Sequence, residues 1–284
     1  MVKSLRGVRP DVAGPEAAPL RVISWNLLRL VGAGVEAVAA LIARHKPDIL
    51  LMQEATAEIE TLPEFAGGHV FREPMAGRVY GLAVWSPHTL ERPQALALPV
   101  SKMPGRVPPR LAQLVRFGGA TFANVHLSHG QVLNRRQLLA IMRTLEGPAA
   151  IIGDYNAVGP IVLSGFKDVG PRQWTHRAGD IISVRLDRCM ARGLACKSSE
   201  VLDRGPSDHH PIILDLTPAD ASTAAQRLFA ERIARIPALN VSEIGHWVRT
   251  MSGSPERIRV PLRLAQLRTR RRRRRAGEGD HASR

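Results

Sequence analysis

Six apolar stretches of this chain begin or end in polar residues capable of chemistry. Asn26 closes Leu20-Arg21-Val22-Ile23-Ser24-Trp25, and Gln53-Glu54 closes Asp48-Ile49-Leu50-Leu51-Met52. His126 lies within Ala120 to Leu127, and Gly153-Asp154-Tyr155-Asn156 follows Ala149 to Ile152. Arg185-Leu186-Asp187 opens a run to Met190, and Ser207-Asp208-His209-His210 precedes Pro211 to Leu216. Taken singly these are weak signals, because Asp154 and Asn156 could simply build an Asx-turn. Taken together they supply carboxylates, amides and imidazoles, the groups that ligate metals and move protons. Converging strand ends are where sheet proteins build sites.

The apolar runs that must position these groups read as short strands. Further strands are expected at Gly81 to Trp85 and Leu111 to Phe117. Two helices are expected, Val35 to Arg44, stopped by Lys46-Pro47, and Asn134 to Leu145. Strands interleaved with few helices predict a mixed-sheet α/β or α+β domain. Residues 1–19 read as a loose leader punctuated by Pro and Gly, residues 20–217 as the domain, and 218–284 as an extension. Within the extension, Ala221 to Ile236 can form an amphipathic helix. The chain from about residue 268, including Arg270 to Arg275, is expected to be disordered by charge repulsion.

The composition narrows the choices. With 284 residues and 44% hydrophobic content the chain can bury a sizeable core. Two cysteines exclude a disulfide framework and an all-cysteine zinc site. There is no apolar run of transmembrane length and no secretory leader, so a soluble cytoplasmic protein is expected. Gly32-x-Gly34-x-x-Ala37, with Glu54 downstream, imitates a dinucleotide fingerprint, but the glycines do not cap the preceding strand tightly. His126-x-x-His129 with His209-His210 could bind zinc, yet positions i and i+3 of a strand face opposite ways. His129 and His210 therefore read as surface or supporting residues, and Arg135 and Arg136 as solvated.

The six segments, in this order, resemble the endonuclease/exonuclease/phosphatase superfamily. They read Ser24-Trp25-Asn26-Leu27, Pro47 to Glu54, Asn124 to Leu127, Ile151 to Asn156, Arg185-Leu186-Asp187 and Ser207 to Ile212. That superfamily includes deoxyribonuclease I, AP endonucleases, neutral sphingomyelinases and inositol polyphosphate 5-phosphatases. The resemblance covers residues 20–216 and implies an α/β fold, a two-sheet α/β sandwich with its site at one edge, and metal-dependent phosphoester hydrolysis. It implies that Glu54, with Asn26 beside it and Asp208 as ligand or neighbour, holds Mg²⁺ or Mn²⁺. Asp154 would align or deprotonate water, and Asn156, two positions on, would face the same side and hold a phosphate oxygen. His209, paired with Asp187, would act as base or as transition-state stabiliser, and His126 would donate to a phosphate oxygen. Arg110, ahead of a strand, is a candidate substrate contact.

Two departures separate the chain from AP endonucleases: Leu28 stands where they carry Asp, and His126 where they carry Tyr. Both point to the branch with two histidines. Deoxyribonuclease I orients its first histidine with an upstream carboxylate; here Ala76 to Gly81 offers none, and Glu73 is a poor substitute. The net charge of +15 favours polyanionic partners, nucleic acid first and anionic membrane lipid second through Arg270 to Arg275. No obligate protein partner is evident.

Overall fold

The computed structural model describes residues 18–101, 107–178 and 182–219. The described chain opens with β1 (Leu20–Asn26), α1 (Val35–His45) and β2 (Ile49–Thr56). A 3-10 turn (Ala57–Thr61) leads into α2 (Leu62–Ala66) and then β3 (His69–Pro74) and β4 (Tyr80–Ser86). Next come β5 (Gln94–Ala97), β6 (Leu111–Phe117), β7 (Ala120–His126), α3 (Gln131–Thr144) and β8 (Ala149–Asp154). After β9 (Lys167–Asp168) a small hairpin forms from β10 (His176–Ala178) and β11 (Ile182–Val184). The described chain closes with β12 (Asp187–Arg192), β13 (Leu194–Val201) and β14 (Ile212–Pro218). One six-stranded sheet has the order β13-β14-β1-β2-β4-β3 and the other β5-β6-β7-β8-β12-β9. Both are mixed: β1–β2 and β7–β8 are parallel pairs among antiparallel ones. This is the expected two-sheet α/β sandwich.

Period-two alternation divides the apolar residues between layers. Val22, Ile49 and Leu51 face Phe122, Ala150 and Ile152 between the sheets. Their neighbours Ile23, Trp25, Leu50 and Met52 pack outward on Val38, Leu41 and Ile42 of α1. Ala123, Val125 and Ile151 pack outward on Leu138 and Ile141 of α3. The central strands of both sheets are thus buried on two faces, which is why they read as unbroken apolar runs.

A polar network crosses the middle layer. Asn124 Nδ2 donates to the Met52 and Ala83 carbonyls and to Gln113 Oε1, while Gln53 Nε2 donates to Asn124 Oδ1 at 2.8 Å. It joins β2 and β4 of one sheet to β6 and β7 of the other. Gln53 therefore belongs to the inter-sheet clamp rather than to the strand-end group.

The strands and helices expected from the sequence are present with ends shifted by a few residues. Strands β3, β5 and β13 and the three short ones carry too little apolar patterning to be seen in it. Among the described residues no helix is long and apolar enough to cross a membrane. The helix expected at Ala221 to Ile236 and the disorder expected around Arg270 to Arg275 lie outside the described residues, as does nearly all of the leader.

Candidate active site

The sheet registers bring the strand-end residues together. Asn26 and Gln53 are partners at the end of the parallel pair β1–β2, which leaves Glu54 one step beyond. In the second sheet His126 pairs with Asp154, and Asp154 with Asp187, so three functional side chains share one rung of β7, β8 and β12. Neighbours on a rung project to the same face. Asp154 Oδ2 is the hub: Asn26 Nδ2 donates to it at 3.1 Å, His126 Nε2 lies at 3.5 Å and His209 Nε2 at 3.9 Å. His126 Nε2 is also 4.0 Å from Glu54 Oε1.

His209 is held from several sides. Its Nδ1 meets Asp187 Oδ2 at 2.8 Å. Its carbonyl accepts from Trp25 Nε1, and its N–H donates to Ser207 Oγ, which itself donates to the Asn26 carbonyl. Thr175 Oγ1 accepts the Leu186 and Asp187 N–H groups, so one buried hydroxyl sets the start of β12. Burial opposes a charge on His209, but Asp187 and then Asp154 and Asp208 outweigh it and raise its pKa to about 10. His126 behaves oppositely. Burial dominates over the pull of Asp154 and lowers its pKa to about 3. At neutral pH the site therefore pairs an imidazolium, His209, with a neutral imidazole, His126. His126 Nδ1 is buried without a partner, in keeping with the missing upstream carboxylate.

Glu54 sits in a β-bulge where the β2–β4 register shifts between Met52 and Ala55, with φ of 54°. That left-handed conformation is costly for a residue with a Cβ, and bulges re-aim side chains beside active sites. Glu54 Oε2 accepts from Arg29 Nη1 at 2.7 Å, and the Arg29 guanidinium lies 5.0 Å over the Tyr80 ring. Arg110 is buried within electrostatic range of Asp154 and Glu54; burial lowers its pKa, and its Nε has no partner. Gly153 lets β8 approach β7, since a Cβ there would stand 2.1 Å from the Val125 carbonyl oxygen.

Two expected placements differ in detail. β8 ends at Asp154, so the strand alternation expected to align Asn156 does not continue. Asn156 instead takes a left-handed turn (φ 47°), its N–H donating to Asp154 Oδ1 and its Nδ2 to the Leu127 carbonyl. The Asx-turn is real, and it orients Asp154. Asp208 pairs with His176, 3.3 Å away, while the His176 ring lies 4.4 Å from that of His209. The sequence reading missed His176, Thr175 and Arg29. His176 and Thr175 sit beside a two-strand hairpin with no apolar pattern to flag it, and Arg29 follows a residue, Leu28, that marks a departure from related motifs. Arg185 turns away, making two 2.7 Å contacts to Asp168 that brace the entry to β12. His129, Arg135 and Arg136 are exposed, and His210 bonds the Leu202 carbonyl. The hollow beside Gly32, Gly34 and Glu54 is about 50 Å³, far too small for a dinucleotide. A larger one of about 360 Å³, around Arg92, Arg116 and Glu146, lies where β7 begins, at the opposite end from the site.

The donors suit a hard divalent cation. Carboxylates predominate, the amide of Asn26 adds an oxygen, and Asp187 Oδ1 and Asp208 Oδ1 are buried without partners. Asp154, Asp187 and His209 offer ligand atoms within 4.8 Å of one another, as do His176, Asp208 and His209. With Nδ1 engaged by Asp187 and the ring protonated, His209 is the poorest ligand in either group, which favours oxygen donors over a zinc-type nitrogen set.

A model of the Endonuclease/Exonuclease/phosphatase family matches residues 23–209. No curated protein sequence matches. Among solved structures, the endonuclease/exonuclease/phosphatase from Bacteroides vulgatus is similar with a TM-score of 0.58 and 19% identity, over 70% of this chain and 99% of that one. The mannosyl-6-phosphatase Bt3783 of Bacteroides thetaiotaomicron VPI-5482 gives 0.58 and 20%, over 70% and 99%. A humanized D. rerio TDP2 with 14 mutations gives 0.55 and 18%, over 70% and 98%.

Proposed function

Because the chain belongs to the endonuclease/exonuclease/phosphatase family, we propose that it hydrolyses phosphoesters with Mg²⁺ or Mn²⁺ held by Glu54 and Asn26, with Asp208 nearby. The observation that carries this reading is the convergence of Asn26, His126 and His209 on Asp154 Oδ2, all within 3.9 Å. Asp154, fixed by Asn26 and by the Asn156 N–H, aligns or deprotonates the attacking water. His209, kept protonated by Asp187, stabilises the charge that gathers on the phosphoryl oxygens. Neutral His126 donates an N–H to a phosphate oxygen, and the free Nε of Arg110 offers a second donor. Asn156 holds the turn and lends its backbone to Asp154. When bound, the cation neutralises part of the ester's negative charge.

Hydrolysis of bis-p-nitrophenyl phosphate with Mg²⁺, Mn²⁺ or EDTA tests the reading. EDTA abolishes it, and Glu54→Ala or Asp154→Ala lowers kcat/KM by about a hundredfold or more. Near wild-type activity in both variants defeats the assignment.

For the substrate, the net charge of +15 supports a nucleic-acid phosphodiester. A phosphoester presented at a lipid surface is supported by aliphatic side chains exposed around the site. Nicking of plasmid DNA or degradation of RNA favours the first, and phosphate release from inositol phosphates without nicking favours a phosphatase.

A further inference from the structure

We propose that the face bearing the strand-end site docks on an anionic phospholipid bilayer. Leu30 and Val31, 77% and 78% exposed, lie in the loop that follows Asn26. Exposed Val79 lies in the β3–β4 turn, which the Thr56–Tyr80 pairing sets beside the end of β2. Exposed Val158 follows β8, just beyond Asn156. Exposed Trp174 precedes, and exposed Ile182 lies within, the hairpin whose His176 bridges to His209. Four separate loops thus bring bulky apolar groups to the end of the sandwich where the chemistry sits.

Leu30 adds an independent sign. It adopts φ of 62°, a left-handed conformation that costs a branched residue about 1 kcal/mol, and recovers nothing by burial. Asparagine would be more comfortable there. A leucine held out in solvent on a left-handed turn is free to enter an apolar partner.

The partner follows from the chemistry of the rim. Isolated aliphatic side chains have nothing to pair with on a phosphodiester backbone, and nucleic acid is met by stacking and by cations. A protein interface concentrates its apolar groups in one contiguous core, whereas these stand on separate segments of the chain. A bilayer interface accepts each side chain separately, welcomes tryptophan at its polar boundary, and attracts arginine when anionic. Arg78, Arg172 and Arg177 are exposed among the apolar residues.

The test uses the full chain in EDTA, so it is independent of catalysis and of the metal reading. Binding to phosphatidylcholine vesicles containing about 30 mol % phosphatidylglycerol is measured at about 0.5 M salt, where purely electrostatic attraction is screened. Leu30→Asn with Val31→Asn is expected to weaken binding by about tenfold or more, with an unchanged melting temperature, since asparagine tolerates the backbone of residue 30. In a Trp247→Phe background, brominated acyl chains quench Trp174, because Trp25 and Trp85 are buried. Equal vesicle binding by wild type and double variant, or unquenched Trp174, overturns the proposal. So does a parallel loss of duplex DNA affinity in the double variant, which would make the face a nucleic-acid surface.

Discussion

On the proposed reading, the Glu54 carboxylate that accepts from Arg29 is the one that would hold the cation, so the two would compete for it. Arg29 Nη1 occupies Oε2, but the arginine is half exposed, so its hold is modest. Arg29→Ala should tighten Mn²⁺ binding by about three- to tenfold, the equivalent of roughly one charge-assisted hydrogen bond at a wet site, and calorimetric titration reads this directly. The two histidines make opposite marks on stability. His209 titrates at about 10 when folded and near 6.5 when unfolded; its contribution is full below pH 6.5 and is lost as pH rises through 10. His126 titrates at about 3 when folded; its burial leaves stability intact above pH 6.5 and erodes it as pH falls through 3. Urea unfolding in EDTA from acid to alkaline pH should show both limbs. His209→Gln should flatten the alkaline one and His126→Gln the acid one. In kcat/KM, His209→Ala should cost more than His126→Ala, because Asp187, Ser207 and Trp25 pre-organise His209 while His126 Nδ1 has no partner. Residue types were legible at Asn26, Glu54, His126, Asp154, Asp187 and His209, since each interrupts an apolar run. The couplings of Arg29 and His176 were not, because each partner lies far away in sequence and is recruited by loops.

At the scale of elements, the site depends on how closely the two sheets are tied. Asn124 makes three hydrogen bonds across the middle layer, with Gln53, Met52 and Ala83, and a fourth to Gln113 on the neighbouring strand. Asn124→Leu removes the side-chain donor to the Met52 and Ala83 carbonyls and the best acceptor of the Gln53 amide, and should cost about 3 kcal/mol or more in unfolding free energy by urea titration. Gly153→Ala should be at least as damaging, since its φ of 141° is closed to alanine and its Cβ would run into the Val125 carbonyl. Doubly buried strands such as β2, β7 and β8 announce themselves as apolar runs. Edge strands such as β3 and β5, with half-buried or exposed residues, carry no such mark and take their place through pairing with β4 and β6 and a few half-buried contacts such as Phe71 and Leu96. The alternation expected to place Asn156 stops short of it for a related reason: it holds inside a strand, and nothing local revealed that β8 stops at Asp154.

For the whole molecule, charge is the property most readable from composition. From Pro218 onward the chain holds 15 Arg, no Lys and 6 acids, more than half of the net +15. Replacing Arg270 to Arg275 with serine should weaken binding to any polyanion at low salt. It should also reduce the dependence on log salt by up to about 0.9 for each phosphate the tail no longer neutralises. On a small phosphodiester kcat should be unchanged, because a tail that grips a distant phosphate holds it no more tightly in the transition state than before. Filter binding across a salt series separates this from the aliphatic rim, whose contribution survives high salt.

The bulge that aims Glu54 also marks where this protein could be more durable than it is. Glycine inside a strand is ordinarily worse than alanine by roughly 0.5–1 kcal/mol. At position 54 that order should invert. Glu54→Gly and Glu54→Ala both lack the carboxylate and its bond to Arg29, yet only glycine is at ease at φ of 54°. Glu54→Gly should therefore melt at the higher temperature of the two. Such an inversion would be a thermometer reading of what the fold gives up in robustness to keep one carboxylate aimed from a left-handed bulge.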